Sequence, residues 1–289
     1  LYFTLRALGK TVHLANYTFC DFDLTAEVSR LEVLEKDLLA AAYGDVTVPL
    51  DFLPEAYLSQ WFRETRGESI PVYLLADVGA AALTAAYQRL VAHLQTDAII
   101  IVDGGVDSLM RGDEEGAGSL LEDTLTLIAV NNLDVPVKIQ ACIGFGAETE
   151  EAVCHYNALE NMAALVKDGA FLGACAVLKE MEAFQLFEAA CRYVWEQPNH
   201  RASHISTRII PAVQGEFGNF HMHPHYQRTT LFISPLMSLY WFFDAAAVLR
   251  RNLYADVLRH TVTKEQAYLM TFMGEGRPKV TRARRAIPY

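Results

Sequence analysis

Short, continuously apolar segments that alternate with helical segments are the strongest constraint on the fold of this chain. Segments of this kind at residues 70–76, 98–102 and 135–143 are each followed by a turn rich in Gly and acidic residues and then by a helical pattern. Strands without polar alternation are buried on both faces, as in parallel sheets covered by helices. We therefore predict an α/β fold with a doubly wound, mainly parallel, Rossmann-like sheet.

The other elements of the N-terminal part follow from hydrophobic periodicity and from Gly and Pro positions. Residues 1–9 resemble the second half of an amphipathic helix, and residues 11–16 resemble a strand. Because the chain starts in mid-helix without Met, we expect a first strand and its turn to precede Leu1. Further helices are predicted at residues 27–43, 54–65, 80–95, 120–131 and 150–167.

The pattern changes in the C-terminal part of the chain. A long helical stretch is predicted at residues 171–196, an irregular region with one or two strands at residues 205–233, and helices between residues 235 and 273. No Ser/Gly linker separates this part from the rest. We therefore predict a Rossmann-like core at residues 1–169 and a mainly helical C-terminal part, with a His-rich flap, packed on it at residues 170–289.

Charge and composition limit the partners and the location. Lys and Arg number 24 against 35 Asp and Glu, a net charge of −11, which repels nucleic acid. The longest apolar stretch, residues 231–243, is shorter than the ~20 residues of a membrane-spanning helix. The five cysteines form no Cys-x-x-Cys pair, and we expect no secretory signal from the pattern of the first residues. We expect a cytoplasmic protein that binds neither nucleic acid nor membrane.

Three predicted strands end in turns that carry the candidate site. Ligands of open α/β sheets bind beyond the carboxyl ends of the strands, where helix N-termini favour negative charge. We therefore expect a small, anionic ligand at these turns. The predicted ligand-binding residues at strand ends and turns are Asn16, Asp77, Gly79, Gly104, Gly105, Ser108, Gly144 and Gly146.

The turn Asp103-Gly-Gly-Val-Asp107 is the most informative of the three. Its glycines permit close approach of a ligand, and its two carboxylates can receive hydroxyls, orient water or hold Mg²⁺. The structural alternative is that Asp107 or Ser108 caps a helix while Asp103 binds backbone N–H groups. Glu148, after the Gly144-Phe-Gly146 turn, is a candidate general base or ribose ligand. The predicted catalytic residues are Asp103, Asp107 and Glu148, with no cofactor assigned beyond Mg²⁺ as a candidate.

The charged loop at residues 111–119 follows the first of these turns. Arg111 and Glu114 are predicted ligand-binding residues of a lid, whereas Asp113 and Glu115 are expected to be solvated. Ser119 and Glu122 match a capping box. The basic C-terminal segment, residues 277–285, can pair with the acidic body or with a neighbouring subunit of a homo-oligomer.

A histidine cluster, His221, His223 and His225, forms the other candidate site. In an extended chain, residues two apart share a face, so His221 and His223 can ligate one metal together with Asp103. A ligand-facing role without metal, for which His223 is the predicted residue, and a purely structural loop are the alternatives.

Three segments resemble a family catalogued as domain of unknown function 1152. They are residues 97–114, with the Asp-Gly-Gly-Val-Asp turn, residues 143–148, Ile-Gly-Phe-Gly-Ala-Glu, and residues 169–173, Gly-Ala-Phe-Leu-Gly. The resemblance covers most of the chain. It implies a Rossmann-type fold with a glycine-rich strand-turn just before Leu1, but no activity.

These observations together predict an enzyme, a hydrolase or a transferase, that acts on a nucleotide or phosphosugar-like small molecule. Two alternatives are open. One is a non-catalytic small-ligand sensor or assembly protein, in which the His-rich flap reports occupancy. The other is a metal-dependent hydrolase that uses His221 and His223.

Overall fold

The computed structural model describes residues 1–49, 53–116, 118, 120–148, 153–223, 231–273 and 278–288. The chain divides into two compact units, Leu1–Asp77 with Lys179–Ser203, and Val78–Leu178 with His204–Tyr289. Each unit holds one four-stranded sheet, and helices and strands alternate along the chain. The predicted α/β class is confirmed. Among the described residues, no helix is both long and apolar enough to cross a bilayer.

The first unit contains a mixed sheet with the strand order β1-β4-β3-β2. β1 (Leu14–Thr18) is parallel to β4 (Val72–Ala76), whereas β3 (Leu39–Ala42) is antiparallel to both β4 and β2 (Leu31–Glu35). All four residues of β3 are buried, so the centre of this sheet lies at β3 and β4. The helices of this unit are α1 (Tyr2–Ala7), α2 (Phe22–Val28), α3 (Pro54–Arg66) and α7 (Glu182–Trp195).

The helix predicted at residues 27–43 is wrong, because this segment holds the end of α2 and the antiparallel pair β2 and β3. Its Leu, Glu, Lys and Ala residues favour helices when only local propensity is considered. Asp37, however, has a φ angle of 58° in the turn between the two strands. Pairing of β3 with two neighbouring strands therefore overrides the local preference.

The second unit contains a sheet with the order β5-β6-β8-β7. β5 (Ala98–Asp103) is parallel to β6 (Val137–Ile143), and β8 (Leu239–Asp244) is antiparallel to both β6 and β7 (Phe171–Ala176). The strands thus form two mixed sheets instead of one mainly parallel sheet. The helices of this unit are α4 (Ala80–Leu94), α5 (Leu120–Asn131), α6 (His155–Lys167), α8 (Ser206–Gln214), α9 (Ala245–Arg251), α10 (Ala255–Leu258) and α11 (Lys264–Phe272).

The secondary structure of the C-terminal part differs from the prediction in three places. The stretch at residues 171–196 begins with β7, the region at residues 205–233 begins with helix α8, and the segment at residues 235–273 contains strand β8. A short apolar run fits a buried helix or a buried strand equally well by periodicity. Pairing of β8 with β6 and β7 decides between them. The domain boundary at residue 169 stays a prediction.

Candidate functional site

The carboxyl ends of β5 and β6 bring three acidic side chains together. Asp103 is the last residue of β5 and lies opposite Cys142 of β6 in the parallel register. Asp107 begins a short 3-10 helix after β5, and Glu148 follows the turn after β6. One carboxylate oxygen from each of the three side chains lies within 4.8 Å of the other two. The structure thus places the three predicted catalytic residues in one cluster.

The carboxylate of Glu148 is held by backbone donors inside the protein. The residue is only 4% exposed. Its Oε1 accepts hydrogen bonds from the N–H groups of Val106 and Asp107, the second at 3.1 Å. Its Oε2 has no hydrogen-bond partner among the described residues. A buried carboxylate oxygen left without a partner is costly, so it needs a proton or a bound cation.

Asp103 is oriented by a second set of buried polar groups. Its Oδ2 accepts hydrogen bonds from the Ser108 hydroxyl at 2.6 Å and from the Ser108 N–H at 3.2 Å. Gln140 of β6 donates to the Ser108 hydroxyl oxygen at 3.0 Å, which directs the hydroxyl proton towards Asp103. Sequence analysis missed Gln140. Its indication in the sequence was a polar residue inside a strand that is otherwise apolar except for Lys138.

Burial and mutual repulsion dominate the electrostatics of the cluster. Burial raises the pKa of Glu148 to about 7, and the charge of Asp107 adds to this rise. Burial, followed by the charges of Asp107 and Glu148, raises the pKa of Asp103 well above its usual value. The pKa of Asp123, in the first turn of α5, is also raised well above its usual value, first by burial and then by the charge of Asp107. Sequence analysis missed Asp123, because an acidic residue in the first turn of a helix is common for helix-dipole reasons alone.

The donor set of the cluster determines which ions suit it. Its three candidate ligand atoms are carboxylate oxygens, which Mg²⁺, Mn²⁺ and Ca²⁺ prefer. The buried Oε2 of Glu148 supplies an oxygen that has no hydrogen-bond partner among the described residues. Asp103, Asp107 and Glu148 therefore fit a divalent cation.

The glycines of the two turns are packed against protein side chains. A Cβ added at Gly105 would collide with the carboxylate of Glu148 and lie 2.6 Å from its Cγ. A Cβ at Gly104 would instead meet the Ile205 side chain, whose Cγ2 would lie 2.8 Å away. Gly105 therefore permits the close approach of Glu148 to the turn after β5. Gly144 and Gly146 have φ angles of 89° and 87° in the turn after β6.

Substitution of Gly105 by alanine is expected to displace the Glu148 carboxylate. We expect a loss of about 1–3 kcal/mol in the free energy of unfolding, together with weaker Mn²⁺ binding. Gly104→Ala is the matched control, because its Cβ would meet the Ile205 side chain and not the Glu148 carboxylate. Denaturant unfolding and Mn²⁺ titration of both variants measure the difference. Equal behaviour of the two variants would contradict the packing of Glu148 against Gly105.

The acidic loop after the site is held by the C-terminal segment. Glu114 accepts hydrogen bonds from the N–H of Arg111 at 3.0 Å, from Asn161 at 2.9 Å and from Arg282. Asp113 pairs with Arg282 at 2.9 Å and is 7% exposed, so the expectation that it is solvated is wrong. The basic tail neutralises these carboxylates and allows their burial. Ser119 of the predicted capping box lies outside the described residues.

The remaining strand-end residues have partners elsewhere in the protein. Asn16 and Asp77 belong to the first unit, where Asn16 donates to Glu55 at 2.7 Å and Asp77 accepts from the Tyr17 hydroxyl. Gly79 precedes α4 in the second unit, and its N–H donates to a carbonyl in the segment before α11 at 2.9 Å. Ligand binding by these three residues stays a prediction.

The histidine segment is only partly described. His221 contacts the side-chain oxygen of Asn219 at 3.0 Å. His223 is half-buried, and His225 lies outside the described residues. Within the described ranges, no group of three candidate metal ligands includes His221 or His223. The structure therefore does not bring these histidines into a metal site with Asp103.

A known protein family matches the part of the chain that contains this site. A family model described as "Protein of unknown function (DUF1152)" matches residues 58–271, which include β5, β6 and all three carboxylates. The chain belongs to this family. The DUF1152 match confirms the resemblance carried by residues 97–114 and 143–148 and attaches no activity to it. No curated protein and no solved structure matches the chain.

Proposed function

We propose that this DUF1152 protein is a cation-dependent enzyme, a hydrolase or a transferase, that acts on a nucleotide or phosphosugar-like small molecule. Asp103, Asp107 and Glu148 hold the divalent cation at the carboxyl ends of β5 and β6. The observation that carries the proposal is the buried Oε2 of Glu148, which has no partner among the described residues and belongs to a cluster of three carboxylates.

In two of these side chains, Asp103 and Glu148, one carboxylate oxygen accepts hydrogen bonds from the protein. Ser108 occupies Oδ2 of Asp103, and backbone N–H groups occupy Oε1 of Glu148. The other oxygen of each carboxylate is left for a cation or a proton. Side chains held by a surrounding shell of hydrogen bonds lose little conformational entropy when they bind. The arrangement therefore favours tight coordination.

A divalent cation would also reduce the electrostatic repulsion between this acidic chain and an anionic substrate. The net charge of −11 and the clustered carboxylates repel an anionic substrate. When bound, such an ion neutralises phosphate oxygens and lowers the pKa of a coordinated water or hydroxyl. The backbone N–H groups at the two strand-end turns add partial positive charge. An acidic protein can thus bind a phosphate-bearing substrate.

Titration with Mn²⁺ tests the cation site. We expect saturable binding to the wild-type protein and a loss of about 100-fold or more in affinity for Asp107→Asn, because even indirect partners of a metal ligand contribute about 10–100-fold. Asp97→Asn is the matched control, since Asp97 is exposed and immediately precedes β5, at the opposite end of that strand from the cluster. Wild-type affinity in Asp107→Asn would contradict the proposal.

Turnover assays test the reaction class. Nucleotides and sugar phosphates are incubated with the protein, with and without Mg²⁺, and product formation is measured. We expect cation-dependent turnover that Asp107→Asn abolishes. If ligands bind and no substrate is turned over, the sensor alternative is favoured. If Glu148→Gln retains Mn²⁺ binding and loses turnover, Glu148 acts in acid–base catalysis and is not a cation ligand.

A further inference from the structure

A cavity lies at the start of α6, next to the C-terminal tail. Its volume is about 470 Å³. The residues that line it come from the beginning of α6 and from the tail, and they are Val153, Cys154, His155, Arg284, Arg285, Ala286 and Ile287. The described lining residues include no Asp or Glu. The described part of the lining is therefore basic, in a protein whose net charge is strongly negative.

Several contacts fix the tail against α6. Arg282 pairs with Asp113 and with Glu160, both at 2.9 Å. The Sγ atom of Cys154 lies 3.5 Å from both the backbone N and the carbonyl O of Arg285. These contacts hold the tail backbone at the cavity and thereby fix the position of the basic side chains that follow Arg282.

Acidic residues in the part of the chain that the structure describes do not fully match the positive charge at the cavity. The guanidinium of Arg285 lies over the ring of Tyr156, 5.5 Å from its centroid, and has no ion pair among the described residues. The first turn of α6 contains no acidic residue, and Cys154 does not cap it through its side chain. The N–H groups of a helix start carry partial positive charge. An anion is the complement of this arrangement.

Asn157 supplies an independent observation. Its residue surface is 1% exposed, and its Nδ2 has no hydrogen-bond partner among the described residues. It lines a smaller cavity of about 50 Å³ that shares Arg285 with the larger one. Glu160 on the wall of this smaller cavity is already paired with Arg282. A buried amide donor beside an arginine calls for an acceptor oxygen.

The basic cavity adjoins the turn that carries Glu148. A Cβ added at Gly146 would lie 3.1 Å from the His155 ring, and the rings of Phe145 and His155 are 5.2 Å apart. His155 therefore packs on the turn only two residues before Glu148. The turn thus connects the carboxylate cluster, through Glu148, with the cavity, through the His155 ring that packs on it.

We propose that the basic cavity and the smaller cavity next to it bind a phosphate group through Arg285, which lines both, Asn157, which lines the smaller one, and the start of α6. This inference rests on the proposed function and deepens it, because it assigns to the substrate a phosphate that lies beside the turn of Glu148. The substrate class is then a phosphorylated small molecule whose reacting group reaches the cation cluster. Charge-assisted bonds from arginine and a helix start are the usual means of phosphate recognition.

Calorimetric titration with inorganic phosphate tests the cavity. We expect the dissociation constant to rise about tenfold or more for Arg285→Gln and for Asn157→Asp, which adds a like charge with almost no change in shape. Lys279→Gln is the matched control, since Lys279 is an exposed basic residue of the same tail that lines neither cavity. We expect less than about a twofold change for this variant, from screened long-range charge alone.

Two outcomes overturn the inference. One is the absence of phosphate binding to the wild-type protein, and the other is an equal loss in Arg285→Gln and Lys279→Gln. Mn²⁺ titration of the same samples separates this inference from the proposed function. Arg285→Gln is expected to keep wild-type Mn²⁺ affinity. Phosphate binding that depends on Arg285 in a protein without Mn²⁺ affinity would contradict the cation site and support the cavity.

Discussion

Replacement of Arg282 by alanine is expected to lower the free energy of unfolding by about 3–5 kcal/mol, the cost of leaving a buried charge without its partner. Arg282 donates to Asp113, Glu114 and Glu160, and the Glu114 side chain is completely buried. Removal of the guanidinium leaves two closely spaced carboxylates in the loop after the candidate site. Denaturant unfolding monitored by circular dichroism measures the loss.

Two further variants make this result specific. Lys279→Ala removes an exposed charge from the same tail and is expected to change stability by less than about 0.5 kcal/mol. Glu114→Gln in the Arg282→Ala background is expected to recover part of the loss, because the uncompensated charge is then absent. A loss below about 1 kcal/mol for Arg282→Ala would show that the ion pairs of the tail contribute as little to stability as exposed surface ion pairs do.

The cation-free protein is expected to become less stable as the pH rises from about 4.5 to about 8. The pKa of Glu148 is about 7 in the folded protein, whereas an unfolded glutamate has a pKa of about 4.3. Stability from this group is complete below the unfolded pKa and is lost as the pH passes the folded pKa. The difference corresponds to about 3–4 kcal/mol. Asp103 and Asp123 shift in the same direction.

Glu148→Gln tests this pH dependence directly. The variant imitates the protonated side chain, so in the presence of EDTA it is expected to be more stable than the wild type at about pH 8 and equally stable at about pH 4.5. Glu180→Gln, at an exposed carboxylate, is the control. Saturating Mg²⁺ is expected to stabilise the wild type at the higher pH by about 3 kcal/mol, as for a ligand at about 100 times its dissociation constant. A wild-type stability curve without this decline would refute the assigned pKa of Glu148.

Much of the local structure was predictable from periodicity and turn chemistry. Helix α5 has the predicted bounds, and α3, α4 and strand β5 differ from the predictions by a residue at one end. Thr263 and Gln266, whose Thr-x-x-Gln spacing is typical of a capping box, form one at the start of α11. These elements combine strong local preferences with a single consistent pattern, so local and tertiary interactions agree.

The failures concern segments whose state depends on distant strands. β2 and β3 have helix-forming residues, and β8 is an aromatic run that periodicity cannot assign. Their backbone N–H and C=O groups are satisfied only by strands far away in the sequence, such as the pairing of β8 with β6. No local window contains those partners.

The candidate site also combines features set by local sequence with features set by contacts between distant segments. By itself, the sequence determined the α/β class, the acidic balance and the identity of the turns after β5 and β6, because strand patterns, charge and glycine turns are local properties. Only the tertiary structure decided that Asp103, Asp107 and Glu148 share one cluster, that Gln140 and Ser108 orient it, and that Arg282 buries the neighbouring loop. Those results arise only when distant segments pack together, because packing sets the parallel register of β5 and β6 and the burial that raises the pKa values of Asp103 and Glu148.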